Sequence, residues 1–138
     1  MPVVSIRSLL TGSVIFGLGT VTGLMAQLPS DSANRVELHR AELSGAEHME
    51  MIISSAEYQP GELLRRHSHH GLEAVYIVQG AEVQAPDKAP MTLATGASLL
   101  NLRDIPHGGF IIAGDQPLKI FTVHVVDKSA PLYQFTDR

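Results

Sequence analysis

From Met49 onward the chain alternates short apolar runs with turn residues. MEMIISS runs on towards QPG, ELLRRHSH ends at HG, and LEAVYIVQ ends at Gly80. Further on, AEVQ ends at APDKAP, MTLA at TG, ASLLNL near Pro106, GGFIIA at GDQP, and LKIFTVHVV at DKSAP. Runs this short, bounded by Gly, Pro, Asn and Asp, read as strands, because the spacing between turn signals leaves no room for helices. Pro60, Pro86, Pro90, Pro106, Pro117 and Pro131 all fall between the runs, where a missing backbone N–H costs no ladder hydrogen bond. No window sustains a helical period, so the pattern predicts an all-β sandwich or barrel over residues 49–138.

The residues before that domain read differently. Residues 27–48 are polar and irregular and form an N-terminal arm with one short strand or turn. Residues 1–26 place a single positive side chain, Arg7, ahead of an apolar stretch from Leu9 to Leu24 and a small residue, Ala26. That order is the signature of a secretory signal peptide. Gly12, Gly17, Gly19 and Gly23 make the stretch a poor permanent bilayer span. The expectation is cleavage after Ala26, with an uncleaved anchor as the alternative. The domain would then be periplasmic or secreted, with no stable membrane insertion once the leader is removed.

Composition narrows the partner class. With 138 residues the chain has room for one core, and 44% hydrophobic against 17% charged residues is an ordinary globular balance. A formal net charge of −4, without any run of like charges, gives nothing to draw the protein to nucleic acid, which leaves a small molecule as the expected partner. There is no cysteine. Disulfides, thiolate nucleophiles and thiolate metal sites are excluded together, and any metal must be held by nitrogen and oxygen.

The segment GELLRRHSHHGLEAVYIVQG, Gly61 to Gly80, supplies such donors. Alternate side chains on a strand share a face, so His67 and His69 point one way and Ser68 and His70 the other. If His70 and Gly71 form a tight bend, Glu73 starts the next strand facing the same interior. Gly80 then closes that strand in a turn where φ can be positive. Neutral imidazole and carboxylate suit borderline divalent metals. His107, in LRDIPHGGF, is the best further candidate, since Pro106 fixes the approach and two glycines follow it.

The spacing of Gly61, His67, His69, Glu73 and Gly80 resembles the first sequence motif of the cupin superfamily without a departure. The second cupin motif is matched in part. Gly96 and His107 are present, whereas Leu102 and Asp104 stand where Pro and Gly are usual, and Ile111 replaces the closing Asn. The resemblance covers roughly Met49 to Val126. It implies a small double-stranded β-helix, or jelly-roll, barrel holding one divalent metal (Fe, Mn, Ni, Cu or Zn) on His67, His69, Glu73 and His107. It also implies a homodimer, and a range of functions from dioxygenases to non-catalytic binding proteins.

The remaining polar residues are read as follows. His124, in FTVHVV, is a candidate proton carrier beside the site or a histidine satisfied in the core. Tyr58 and Tyr76 read as packing residues whose hydroxyls meet water. At least one of Arg65 and Arg66 is a solvated charge, and the other is a candidate guide for an anionic substrate. The function expected is a metal-dependent, dioxygenase-like enzyme on a small oxygenated organic molecule, with Glu73 and His124 as catalytic candidates. The alternative is a module in which the metal anchors a carboxylate or sugar without turnover.

Overall fold

The structure, a computed structural model, describes residues 30–136, so the expected leader and the first residues of the arm lie outside it. The described residues form eleven strands and no helix. In chain order they are β1 (Val36–Glu42), β2 (Met49–Tyr58), β3 (Leu63–Leu64), β4 (His67–Ser68), β5 (Gly71–Gln79) and β6 (Ala81–Gln84). There follow β7 (Met91–Leu93), β8 (Ser98–Asn101), β9 (Phe110–Ile112), β10 (Leu118–Asp127) and β11 (Gln134–Phe135). Every apolar run picked out above from Met49 to Val126 contributes a strand, and the arm contributes β1.

The strands assemble into a five-stranded sheet of order β1-β2-β10-β5-β8, a four-stranded sheet of order β3-β9-β6-β7, and a two-stranded pair of β4 with β11. All pairings are antiparallel. β5 is strictly alternating over Gly71 to Val78, with one face buried and the other exposed, and β10 alternates buried with half-buried positions along its whole length. That period of two turns Val75 and Ile77 inward from β5, and Leu118 and Ile120 from β10, onto Leu64, Ala81, Val83 and Ile112 of the facing sheet. Each of the larger aliphatic chains contributes about 1.5–3 kcal/mol by leaving water. The core therefore holds the two sheets together at one end of the barrel and leaves the other end to polar side chains.

Two glycines are fixed by close approach of backbone. A Cβ at Gly71 would lie 2.0 Å from the Val125 carbonyl oxygen, and one at Gly80 would lie 2.3 Å from that of Leu93. The expectation of positive φ at Gly80 is corrected here: Gly45, Gly61, Gly96, Gly108 and Gly109 are the described glycines with positive φ, and Gly80 is glycine because a neighbouring strand crosses it.

The arm also differs from a loosely attached segment. Asp31 and Arg35 form a buried ion pair, with Arg35 Nε 2.6 Å from Asp31 Oδ1 and side chains 3% and 6% exposed. Arg35 further donates to Thr122 Oγ1 at 3.0 Å and to the Tyr58 hydroxyl at 3.2 Å, while that hydroxyl donates to Asp31 Oδ2. Tyr58 is fully buried. Its hydroxyl therefore sits in a dry network rather than in water, contrary to the expectation from sequence, whereas Tyr76 is half exposed. No linear pattern signals this, because the partners come from three separate segments.

Candidate metal centre

Strand register builds the site in two rows. In the five-stranded sheet, Glu73 of β5 lies opposite His124 of β10 on one side and Asn101 of β8 on the other. Directly opposed residues in an antiparallel sheet share a face, so these three side chains line up on the inner surface. In the second row, His67 of β4 pairs with Phe135 of β11 and forms an isolated bridge with His107. Two backbone bonds secure that bridge, His67 N–H to the His107 carbonyl at 3.0 Å and His107 N–H to the His67 carbonyl at 2.8 Å. His69 follows β4 and closes the space between the rows.

These elements bring His67, His69, Glu73 and His107 together, with one donor atom from each lying within 4.8 Å of all the others. His67, His69 and Glu73 are 1–3% exposed. His70 points away, as alternation requires, with its Nδ1 2.8 Å from Asp104 Oδ1. Arg65 and Arg66 are both exposed. Arg65 stacks its guanidinium over the Phe135 ring at 4.0 Å.

The loop carrying His107 departs from the usual motif without losing its geometry. Asp104 adopts φ +59°. That is the left-handed conformation for which glycine is usual and which aspartate tolerates better than most residues. Its N–H donates to the His69 carbonyl at 2.9 Å. After His107, Gly108 and Gly109 take φ of +71° and +78°, and a Cβ at Gly108 would fall 2.4 Å from Leu64 Cδ2. The departures at Leu102 and Asp104 therefore leave His107 aimed inward.

Tautomers decide whether the donor set fits a cation. Nδ1 of His67, His69 and His107 lies 2.7, 2.5 and 3.0 Å from the carbonyl oxygens of Arg65, Leu132 and Ile105. A carbonyl only accepts, so each Nδ1 carries a proton, and Nε2 is the nitrogen left to bind a cation when the ring is neutral. Nε2 of His69 and of His107 lies 3.5 and 3.1 Å from Glu73 Oε2, yet these buried nitrogens have no hydrogen-bond partner. Orphaned buried nitrogens facing a carboxylate are costly in an empty protein and normal around an ion. The donor set fits one divalent metal.

Charge reinforces this. Burial pushes His67 down to about 4, so this imidazole is neutral at pH 7. Burial also lowers His124, against the pull of Glu73. Burial would raise Glu73, but the imidazoles of His107, His124 and His69 outweigh it and hold the carboxyl well below the usual range. Burial would lower His107, and Glu73 more than offsets it. An ionised carboxylate beside an imidazole that burial keeps neutral, as at His67, is the combination that favours a cation.

His124 is completely buried, with Nε2 3.2 Å from Glu73 Oε1. It does not line the adjoining cavity of about 180 Å³, whose polar end is formed by Asp31, His67, Glu73, Asn101 and His107. Its influence on a ligand therefore passes through Glu73. Two contributors escaped the sequence reading. Asn101, which donates to Glu73 Oε2 at 2.7 Å, carries a signal only as a lone polar residue among apolar ones. Asp31 carries none. The rest of the cavity wall is apolar, from Leu64, Val75, Ile77, Leu93, Phe110 and Leu118 among others.

An antiparallel double-sheet barrel whose three imidazoles and one carboxylate converge beside its cavity defines a β-barrel protein with a donor group that could hold a metal ion. The Cupin domain family model matches residues 54–124. The chain belongs to the cupin family. Solved structures of the same fold include an uncharacterised protein with a double-stranded β-helix domain from Klebsiella pneumoniae, at 15% identity and a TM-score of 0.54, covering 80% of this chain and 91% of that one. The polyketide cyclase RemF from Streptomyces resistomycificus has 15% identity and a TM-score of 0.54, over 81% of this chain and 77% of that one. The DMSP lyase DddQ from Ruegeria pomeroyi has 18% identity and a TM-score of 0.50, over 62% of this chain and 43% of that one. At these identities the likeness is one of fold. No protein of curated function matches the sequence.

Proposed function

We propose that this cupin is an exported, metal-dependent enzyme acting on a small oxygenated organic molecule, dioxygenase-like in its chemistry. The observation that carries the reading is the donor set itself: three imidazoles anchored through Nδ1 and one ionised carboxylate, with donor atoms within 4.8 Å of one another beside a largely apolar cavity. A divalent ion held there supplies Lewis acidity towards an oxygen donor and, if redox-active, a reaction with dioxygen. The apolar wall accepts a carbon skeleton and leaves its oxygen substituents to the polar end. Glu73 is the group that accepts a proton from such a ligand, with Asn101 donating to its Oε2 and His124 Nε2 3.2 Å from its Oε1. The residue pattern of 1–26 supports export.

The test is elemental analysis of untagged protein from its native compartment, followed by a panel of oxygenated substrates with each metal. Product formation that Glu73→Gln abolishes supports the enzyme. Ligand binding without product under every metal supports the second reading, a module that anchors a carboxylate or sugar on the ion. The observation favouring that reading is that Glu73 Oε2 already accepts from Asn101, which leaves less of the carboxylate free to take a proton.

A homodimer is also proposed. Leu72, Tyr76 and Val78 of β5 and Leu100 of β8 are 42–61% exposed on the outer face of the five-stranded sheet. The register continues this surface across Phe121, Val123 and Val125 of β10 to Met51 and Ile53 of β2. An uncharged stripe bounded by the Lys119–Glu57 and Arg103–Asp127 pairs has the apolar core and polar rim of an interface. Light scattering of the purified protein and of Tyr76→Glu tests it. A monomer at micromolar wild-type protein ends the proposal.

A further inference from the structure

We infer that the C-terminal segment Pro131–Thr136 is a strap that fixes the tautomer and aim of His69, and so sets the affinity of the metal centre. The inference rests on the metal reading above for its consequence, but its structural half is independent of any ion. For His67 and His107 the carbonyl that accepts from Nδ1 stands two residues earlier in the same local turn, at Arg65 and Ile105. His69 is different. Its acceptor is the Leu132 carbonyl, 63 residues away along the chain, at 2.5 Å. Glu73 and His67 of the motif touch the ring, at 3.5 Å from Nε2 and 4.9 Å between ring centroids, but the Nδ1 acceptor comes from the tail.

The strap is attached by side chains more than by backbone. β11 pairs with β4 over only two residues, Gln134 with Ser68 and Phe135 with His67, extended by Thr136 N–H to the Arg66 carbonyl at 3.0 Å. A ladder that short does not hold by itself. Tyr133, 7% exposed, sets its ring edge-on to both His67 and His69 at 5.2 Å between centroids. Phe135 stacks on Tyr133 at 5.8 Å and lies under the Arg65 guanidinium. The two aromatic rings therefore seat the chain so that the Leu132 carbonyl meets His69. These residues all lie beyond the 54–124 match to the family model.

Lifting the strap removes the one acceptor of His69 Nδ1–H. The ring then samples both tautomers and orientations, and in one tautomer Nε2 carries a proton and cannot bind a cation. Loss of an outer partner of a ligating histidine typically lowers metal affinity 10–100-fold.

The test uses the full chain carrying Tyr133→Ala with Phe135→Ala, beside Gln134→Ala, which keeps both rings and removes only the Gln134 contact with His70 Nε2 at the exposed edge of the strap. Imidazole nitrogen resonances of the metal-free protein report each tautomer, and competition with a chromophoric chelator reports Zn²⁺ affinity. In the wild type, His67, His69 and His107 should all show Nδ1–H. In the double variant His69 alone should become mixed, with Zn²⁺ affinity about 10–100-fold lower, and Gln134→Ala should match the wild type. If the double variant does not fold, Phe135→Ala alone carries the same expectation in smaller measure. His69 remaining in the Nδ1–H form, with Zn²⁺ affinity within about threefold of wild type, would overturn the strap. A wild type that binds no Zn²⁺ would sink the metal reading instead, while the tautomer of His69 still decides whether the strap holds it.

Discussion

Replacing Asp31 with alanine is the sharpest test of how this barrel is closed. The substitution leaves the Arg35 guanidinium in place at 6% side-chain exposure, bonded only to the neutral oxygens of Thr122 and Tyr58. Removing one partner of a buried pair costs about 3–5 kcal/mol, because the remaining charge is uncompensated, whereas an exposed pair is worth less than about 1 kcal/mol. For a domain near 100 residues each kcal/mol moves the melting temperature by about 4–8 °C, so a fall of roughly 12 °C or more is expected. Urea titration with an unchanged slope is the assay of choice, since it separates lost stability from a changed native state. The double change Asp31→Leu with Arg35→Met should recover most of the loss, as apolar replacements of buried pairs often do. The pH dependence has a definite sign. Burial would raise the Asp31 carboxyl, but Arg35 and the Tyr58 hydroxyl more than offset it and hold it below its ordinary value. The pair's stability is therefore fully present above the unfolded value near 3.9 and is lost as pH falls through the lower folded value. The gap between wild type and Asp31→Ala should narrow only in that acid range. A loss under about 1 kcal/mol at neutral pH would refute the dry network and with it the tight seating of the arm.

Other expectations follow from the same geometry. Gly71→Ala should be more destabilising than Gly45→Ala in paired urea melts, because the new Cβ meets the Val125 backbone at 2.0 Å in the first case and open space in the second; equal losses would mean that β5 and β10 are less closely apposed. Metal at about a hundred times its dissociation constant should stabilise the protein by about 2.7 kcal/mol, and a chelator should remove that gain; identical calorimetric melts with and without chelator would exclude the ion from the fold. His107→Ala should weaken metal binding while leaving the metal-free melt within about 1 kcal/mol, since the His107 side chain is 16% exposed and lies outside the apolar core cluster. Asn101→Ala should lower metal affinity less than the loss of any ligand does, as it removes one hydrogen bond to Glu73 Oε2 and no donor atom.

What the chain disclosed in linear form is what alternation and spacing encode. His67, His69 and Glu73 fall on one face because a strand has a period of two and the bend at His70 preserves the parity. The strands were legible for the same reason, being short apolar runs between turn residues. Gly80 was recognised as necessary but for the wrong cause, since crowding by a neighbouring strand leaves no trace in the residue's own vicinity. Tyr58, Asp31 and Arg35 were unreadable as a unit because their network joins the arm to β2 and β10 through pairings between distant segments. Asp104 looked like a defect in the second motif. The left-handed backbone at that position shows that a residue able to adopt the conformation is sufficient, whichever residue is usual there.

The parts of the site that the family motif fixes are the four donors and the strands that carry them; what surrounds those donors is set elsewhere. Asp31 reaches the polar end of the cavity from the arm, and Leu132 reaches His69 from the tail, both from outside residues 54–124. Donor identity alone selects nitrogen and oxygen coordination of a divalent cation, which many metals satisfy. Affinity and electrostatics depend on how rigidly the imidazoles are aimed and on which charges line the cavity, and in this chain the Leu132 carbonyl meets His69 while Asp31 joins the cavity lining. Changing the arm or the tail while leaving the four donors intact should therefore alter metal affinity without altering which residues bind. If such changes left affinity untouched, the motif alone would suffice, and the two terminal segments would serve only to complete the barrel.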